Sequence, residues 1–585
     1  MYFALAIQAH QNGDLELAKK NYLLELNSGD GKNAFAAFFN VGMIFMSEEK
    51  FANAANHFKE AFELNQRDID TIFNLAVCFE LSGDWERAEY FYRLAYSVDS
   101  KKINVLKNFA AALSKHGNHN EAVSLFEKAL YLEPNNLSIL INLGIALGEA
   151  GKHRESLIYL DRAVKISPNS AIALSHNAIA LMELGLYDES LTKSNKAIQA
   201  DLTYALGYLA KGFTLHKRQD YSSAINNYKK ALEYDPILQI AQINIAQLKI
   251  SQVNDEAEFG SAIEESKRSN EMTTKARYSG LENKKPVLAV PFFKLKHDIE
   301  QANFLKSKDI ISNSLLRFTE ATDNVYSASE IKLNQFKNDG QQQVILNGEL
   351  VEAYRKYQID QLIYEMPKIN GILNHQHDWR AIEESYFSSD PELIFIDDFL
   401  DLDALNAFQN FCFFSKVWTK EYKGCYLGAF ANQGFISPLH LKLALDLKKA
   451  MPRVFKDYPI GQLWGFKYDS QLGKGINVHA DFAKVNLNFW ITPSESNLDP
   501  NSGGLRVYTV PAPTSWTFHD YNRDSEKIYD FLSRKNSSSI TVPYKGNRAV
   551  LFNSALFHET DVINFKEGYE NRRVNMTYLF GSHLA

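Results

Sequence analysis

The 585-residue sequence predicts a two-part fold: an all-α superhelix of paired helices, then a C-terminal β-domain with flanking helices. Three observations carry this expectation. A mark of three residues recurs at fixed spacing through residues 1–250. After Pro391 the sequence turns aromatic and β-prone, in short alternating segments separated by turn signals. The length itself exceeds what one core serves, at ~150 residues per domain.

Hydrophobic residues make up 45% and charged residues 23%, which excludes wholesale disorder. A net charge of −7 argues against a nucleic-acid partner, which would require a basic excess. Cys78, Cys412 and Cys425 have no CxxC spacing and read as reduced thiols of an intracellular protein. The opening segment lacks a basic region, and no apolar run reaches the ~18 residues of a membrane span. A soluble, cytoplasmic protein with no membrane partner is expected.

In the N-terminal part, a small or polar residue is followed two positions on by a bulky one, and three further on by a small one. The marks are Glu49-Phe51-Ala54, Gly83-Trp85-Ala88, Gly117-His119-Ala122, Gly151-His153-Ser156, Gly185-Tyr187-Ser190 and Gln219-Tyr221-Ala224, each 34 residues after the last. An earlier copy, Gly13-Leu15-Ala18, precedes them by 36, with an insertion around Gly29–Lys32. Pro134, Pro168 and Pro236 share one offset. This spacing specifies antiparallel helix pairs: the first position turns the chain, and the small residue lets the helices approach. The bulky residue, Trp85 or Tyr187 for example, is expected to fill the gap between them as core. The pattern resembles the tetratricopeptide repeat family, with about seven repeats in residues 1–250. The resemblance implies a superhelix whose concave face binds a protein or peptide. Asn74, Asn108, Asn142 and Asn177 lie at or near one position of the first helix; groove lining and helix packing are both open to them.

Residues 251–286 lose the period and read as a capping helix and linker. Residues 287–390 alternate helical patterns with polar breaks and read as a helical bridging region. From 391 to 585 the elements are a strand (LIFIDDFL), helices in DALNAFQNFC and PLHLKLALDLKKAMP, then QLWGFKYD, NVHADF, VNLNFWIT, GLRVYTVP, SITVPY, RAVLFN and RRVNMTYLFG. Strands without intervening helices suggest a closed or sandwiched jelly-roll, cupin-like fold, a double-stranded β-helix.

Within this run stand His479-Ala480-Asp481 and, 77 residues beyond Asp481, His558. Residues i and i+2 of a strand share a face, so His479 and Asp481 can reach one metal, and His558 completes two imidazoles and a carboxylate. Such a set leaves the opposite coordination positions open, as in non-haem Fe(II) oxygenases. Fifteen residues after His558, Arg573 shares a face with Asn575 and Thr577. A guanidinium facing inward needs an anion, and a dicarboxylate is a bidentate match. Arg572 would point outward, and which of the two arginines anchors the anion stays open.

HAD, VNLNFWITP, SGGLRVYTVP, RAVLFNS, FHET and RRVNMTYLFG resemble the 2-oxoglutarate/Fe(II) dioxygenase superfamily, in its prolyl-hydroxylase-like branch. The resemblance implies iron ligation by His479, Asp481 and His558, with Arg573 holding the far carboxylate of 2-oxoglutarate and O2 as oxidant. It also implies Tyr468, Asn488 and Trp490 as pocket residues. The implied activity is hydroxylation of a C–H bond, on a protein or peptide recruited by the repeats or on a small molecule or saccharide. The other classes weighed are a protein-binding scaffold with a catalytically silent β-domain, and a zinc or manganese cupin. Gly503-Gly504 reads as a plain hairpin turn, and His519-Asp520 as a solvated loop pair.

Overall fold

The computed structural model describes residues 1–28, 31–278, 287–328, 342–369, 371–470 and 475–582. The expected insertion near Gly29, the end of the expected linker (279–286) and residues 329–341 of the bridging region therefore fall wholly or partly outside the described residues. The chain divides into two compact units, Met1–Asp235 and Pro236–Ala585.

The first unit is all-α. Among the described residues it holds seven helix pairs, from Tyr2–Gln11 with Leu15–Asn27 to Ala205–Lys217 with Tyr221–Tyr234. The first residue of every mark is left-handed, Gly117 at φ +84° and Gly185 at +77°. The next residue donates its N–H to the carbonyl five positions back: Asp84 to Phe79, Asn118 to Leu113 and Lys152 to Leu147, each at 2.8 Å. That bond ends the first helix of each pair and launches the second in a fixed direction. The small residue of each mark is buried, and where it is serine its hydroxyl is satisfied: Ser156 donates to the Gly144 carbonyl at 2.6 Å, Ser190 to that of Ala178 at 2.7 Å.

The bulky mark residue does not fill the gap. Trp85 and Tyr187 are half-buried at the start of the second helix, with Trp85 stacked on His116 at 4.0 Å. The buried ring comes seven positions later, as Phe58, Tyr92, Phe126 and Tyr228. The fourth and eighth residues of the helix lie on one stripe, which turns the small residue and this ring together toward the first helix. At Gly42 and Gly212 an added Cβ would stand 2.7 and 2.6 Å from the rings of Phe58 and Tyr228.

The second unit is mixed α/β. Helices Gln239–Ser251 and Phe259–Tyr278 open it, the second lying within the segment read as capping helix and linker. The bridging region is not purely helical: strands β1 (Val287–Pro291) and β2 (Gln343–Asn347) pair antiparallel beside helices Phe292–Ser307, Asn313–Ala328 and Gly348–Ile359. Ten further strands follow: β3 (Leu393–Ile396), β4 (Lys420–Tyr422), β5 (Tyr426–Phe430), β6 (Ile460–Tyr468), β7 (Val485–Trp490), β8 (Leu505–Pro511), β9 (Ser539–Val542), β10 (Ala549–Asn553), β11 (Leu556–Thr560) and β12 (Val574–Phe580). They form an antiparallel seven-stranded sheet, β3-β10-β7-β12-β6-β5-β4, and a three-stranded sheet, β11-β8-β9.

Alternation decides the two faces of the large sheet. Val485, Leu487 and Phe489 of β7 and Val574, Met576 and Tyr578 of β12 pack with Phe408, Phe411 and Leu441 of helices Leu402–Phe414 and Pro438–Ala450. Tyr468, Trp490, Val550 and Phe552 face the other way and share a core with Leu505, Val507 and Val542 of the small sheet. Helices do interrupt the strand series, contrary to expectation: Phe518–Asn522 and Ser525–Arg534 lie between β8 and β9. The first begins in what reads as a polar loop, because Thr517 and Asp520 cap it reciprocally.

Gln219 holds the turn position at φ +62°, a conformation an L side chain occupies at a cost of ~1–2 kcal/mol and glycine occupies freely. Gln219→Gly is expected to stabilise the helical array by about 0.5 kcal/mol after glycine's greater chain entropy is subtracted, and Gly117→Ala to destabilise it by about 1 kcal/mol. Urea unfolding of the full chain followed by helical circular dichroism measures both; equal midpoints for the two variants would contradict the turn analysis.

Candidate metal centre

His479 and Asp481 stand just before β7. The HAD segment is not a full strand: His479 makes one antiparallel bridge to His558 of β11. The His479 N–H donates to the His558 carbonyl at 3.0 Å, and the His558 N–H to that of His479 at 2.7 Å. The bridge sets the two imidazoles side by side, with ring centres 4.3 Å apart. The helix Phe518–Asn522 pins the segment from the other edge, where Ala480 donates its N–H to the Tyr521 carbonyl at 2.8 Å. Asp481 donates its N–H to Ser554 at 3.1 Å, which fixes the end of the segment.

The side chains converge. One ligand atom each from His479, Asp481 and His558 lie within 4.8 Å of one another. His479 Nε2 is 3.9 Å from one carboxylate oxygen and His558 Nε2 is 3.4 Å from the other. Each Nδ1 faces a backbone carbonyl, Asn477 at 2.8 Å and Leu556 at 3.0 Å. A carbonyl only accepts, so both Nδ1 atoms carry a hydrogen and both Nε2 atoms face the carboxylate. Histidine ligands are commonly oriented in this way. Burial, then the neighbouring His558, pulls the His479 imidazolium down to about 4, so the ring is neutral at physiological pH. Burial pushes the Asp481 carboxyl up, but His558 and His479 outweigh it and hold the acid below its usual range. Two imidazoles and a carboxylate form a donor set that can hold a divalent cation.

A ladder of amides supports the carboxylate. Asn486 Nδ2 donates to Asp481 at 2.7 Å, and Asn488 Nδ2 to Asn486 Oδ1 at 2.6 Å. Across the β7–β12 pair, Asn575 and Thr577 donate to Asn488 Oδ1 at 3.0 and 2.6 Å.

Arg573 is 1% exposed at the head of β12. Its Nε donates to the Gly503 carbonyl at 2.7 Å and its Nη2 to that of Gly504 at 3.3 Å, and its guanidinium lies 4.8 Å from the Tyr468 ring centre. Arg573 Nη1 and the Tyr468 hydroxyl complete no well-aligned hydrogen bond among the described residues, although they lie close enough to interact with each other, and Tyr468 with Thr560. Burial lowers the guanidinium's proton affinity, yet arginine stays charged. A buried cation and a buried hydroxyl with hydrogen-bonding capacity to spare can together accept an anion.

One narrow cavity is lined by His479, Asp481, His558, Arg573, Tyr468, Asn488 and Trp490 together. It also takes in Thr560, two positions after His558 on the same face, a signal alternation could have supplied. Arg572 does not point outward. It is buried on the opposite side from Arg573, with Nε 2.7 Å from Glu300 and Nη1 3.4 Å from Asp469. Gly503-Gly504 is more than a turn, because its carbonyls aim Arg573; a Cβ on Gly504 would fall 1.9 Å from the Val542 carbonyl oxygen. Asp520 serves its helix cap rather than a metal.

Fold and site together define a tetratricopeptide-repeat protein whose C-terminal, β-rich region carries a histidine–aspartate–histidine cluster. Tetratricopeptide repeat models match residues 39–101 and 108–171, and a second such model matches 205–237. No curated protein matches the chain. Similar solved structures include a tetratricopeptide repeat protein from Parabacteroides merdae, 16% identical over 42% of this chain and 96% of that one, TM-score 0.36. YrrB, described as a TPR protein with an unusual peptide-binding site, is 26% identical over 32% of this chain and 96% of its own, TM-score 0.27. PilF of Pseudomonas aeruginosa is 20% identical over 35% and 93%, TM-score 0.30. Among the described residues no helix is long and apolar enough to cross a membrane.

Anaerobic titration with Co(II) is expected to reach one equivalent per chain, read from the visible spectrum and from metal analysis. His479→Ala and Asp481→Ala should abolish this binding, while Asn486→Ala should keep the stoichiometry and weaken affinity about tenfold. Full cobalt loading of the His479→Ala and Asp481→Ala proteins would place the ion elsewhere.

Proposed function

We propose that the second unit is an Fe(II)- and 2-oxoglutarate-dependent oxygenase that hydroxylates a C–H bond of a protein or peptide recruited by the repeat array. One observation carries the reading: the buried Arg573 guanidinium and Tyr468 hydroxyl share a cavity with two imidazoles and a carboxylate arranged as metal ligands. On this reading His479, Asp481 and His558 hold Fe(II), Arg573 and Tyr468 hold the far carboxylate of 2-oxoglutarate, and the two facing sheets act as a double-stranded β-helix. Bound iron and keto acid supply the power to oxidise an unactivated C–H bond with O2.

The protein's own groups prepare the site. Asn477 and Leu556 carbonyls fix the imidazole tautomers, and Asn486 fixes the rotation of the Asp481 carboxylate. The Gly503 and Gly504 carbonyls hold two edges of Arg573 and leave its third nitrogen for a ligand. Ile476, Leu505 and Trp490 line the cavity with apolar surface that excludes water. The array's part is recruitment: such repeats present an extended surface to a polypeptide.

The test is an anaerobic titration with Fe(II) and 2-oxoglutarate, followed by visible absorption and by calorimetry. A visible band is expected from the native protein and none from His479→Ala. Arg573→Met should weaken 2-oxoglutarate at least about a hundredfold, as expected for loss of a charge-assisted bidentate contact. Tyr468→Phe, which preserves packing, should weaken it about tenfold. Iron-loaded protein that binds no 2-oxoglutarate would sink the proposal and favour a scaffold with a structural metal.

A further inference from the structure

The buried-ring position of the array is lost in two consecutive repeats, where Leu160 and then Ser194 take it. Helices Leu137–Glu149, His153–Ile166 and Ala171–Glu183 border an open cavity of about 240 Å³. Its origin lies in the sequence. The buried ring of the second helix, Tyr92 and Phe126 in the two preceding repeats, is Leu160 here. The first helix carries Gly148 where Glu80, Ser114 and Met182 occupy the corresponding positions of other repeats. A Cβ added at Gly148 would touch only Ser156 Oγ, at 3.6 Å, so that wall of the cavity is bare.

The lining has a charge pattern as well. Ile145 and Glu149, and their equivalents Ile179 and Glu183, project from two consecutive first helices at spacing i, i+4, on one face. The position of these glutamates is Lys115 one repeat earlier and Lys217 one repeat later. The acidic pair is thus confined to the two repeats that bound the cavity, and no lysine or arginine lines it. Glu149 is held by the Ser114 hydroxyl at 2.6 Å and by His119 at 3.2 Å, whereas Glu183 has no ion-pair partner among the described residues. His176, also in the lining, is drawn down to about 4 by burial and is a neutral acceptor.

We propose that this cavity binds a lysine or arginine side chain of an extended peptide laid on the array. The aliphatic stem rests on Ile145, Leu160 and Ile179, and the cationic head reaches the Glu149 and Glu183 carboxylates. The inference rests on the reading that the array recruits a polypeptide, and it names the side chain by which it does so.

Selection of phage-displayed random dodecapeptides on the full-length protein tests it. Selected peptides are expected to share a basic residue, whose replacement by methionine in the synthetic peptide lowers affinity at least about tenfold. The isosteric double variant Glu149→Gln/Glu183→Gln and the cavity-filling Gly148→Leu should each weaken the same peptide about tenfold, with unchanged helical circular dichroism for the former. Peptides that bind without a basic residue, or that bind both variants as tightly as the native protein, would overturn this inference and leave recruitment by the array standing. Failure to select any peptide would overturn both.

Discussion

The site depends on a constraint at the centre of the large sheet, where β7 and β12 carry opposite demands on their two faces. Val485, Leu487, Phe489, Val574, Met576 and Tyr578 must meet the helices, so Asn486, Asn488, Arg573, Asn575 and Thr577 are forced to the other side. Burying that many polar groups is unfavourable unless each finds a partner. The amides resolve it among themselves, from Thr577 and Asn575 through Asn488 and Asn486 to Asp481. A register slip of one residue would put the asparagines against Phe408 and the valines into the cavity, so register and site are specified by the same alternation.

The helical array rests on a different device, the left-handed residue between paired helices. Because the N–H after it reaches back to a fixed carbonyl, each pair leaves its turn in one direction. Glycine accommodates this freely; Glu49 and Gln219 adopt it at φ +57° and +62°. The turn therefore does not require glycine, and the tight constraint is the contact of the two helices, where Gly42 and Gly212 face rings. Gly144 is as tight, with an added Cβ 2.6 Å from Leu160, and the packing opens one turn later at Gly148, where Ser156 Oγ at 3.6 Å is the nearest group.

How much of this the sequence revealed follows from which periodicities are long enough to see. The 34-residue period exposed the array and the position of every turn. It misassigned the gap-filling ring, because Trp85 is the more conspicuous residue while Tyr92, seven positions on, is the one the helix stripe buries. In the second unit, alternation revealed β6, β7 and β12 and the convergence of His479, Asp481, His558 and Arg573. The β4–β5 hairpin and the helices after β8 escaped it. The hairpin strands are short, and the first of those helices is set by the Thr517–Asp520 cap within a polar segment. Gly503 and Gly504 look like any turn in sequence; their role toward Arg573 is a tertiary contact between residues 70 positions apart.

Charge balance ties the parts of the cavity together. Asp481 and Arg573 are the carboxylate and the guanidinium of its lining, one of each sign, and neither has an ion partner that neutralises it fully: the carboxylate faces two imidazoles, and the guanidinium rests on carbonyl dipoles and rings. A divalent cation alone would leave two uncompensated positive charges in a low-dielectric space, and a dianion alone two negative ones. On the proposed reading the two arrive at opposite ends of one cavity and cancel, each lowering the desolvation penalty of the other. A structural metal offers no such cancellation, and it gives no reason for a buried arginine with hydrogen-bonding capacity to spare to face the same cavity. The buried guanidinium is therefore the feature that separates a site built for a metal with an anionic co-substrate from one built for a metal alone.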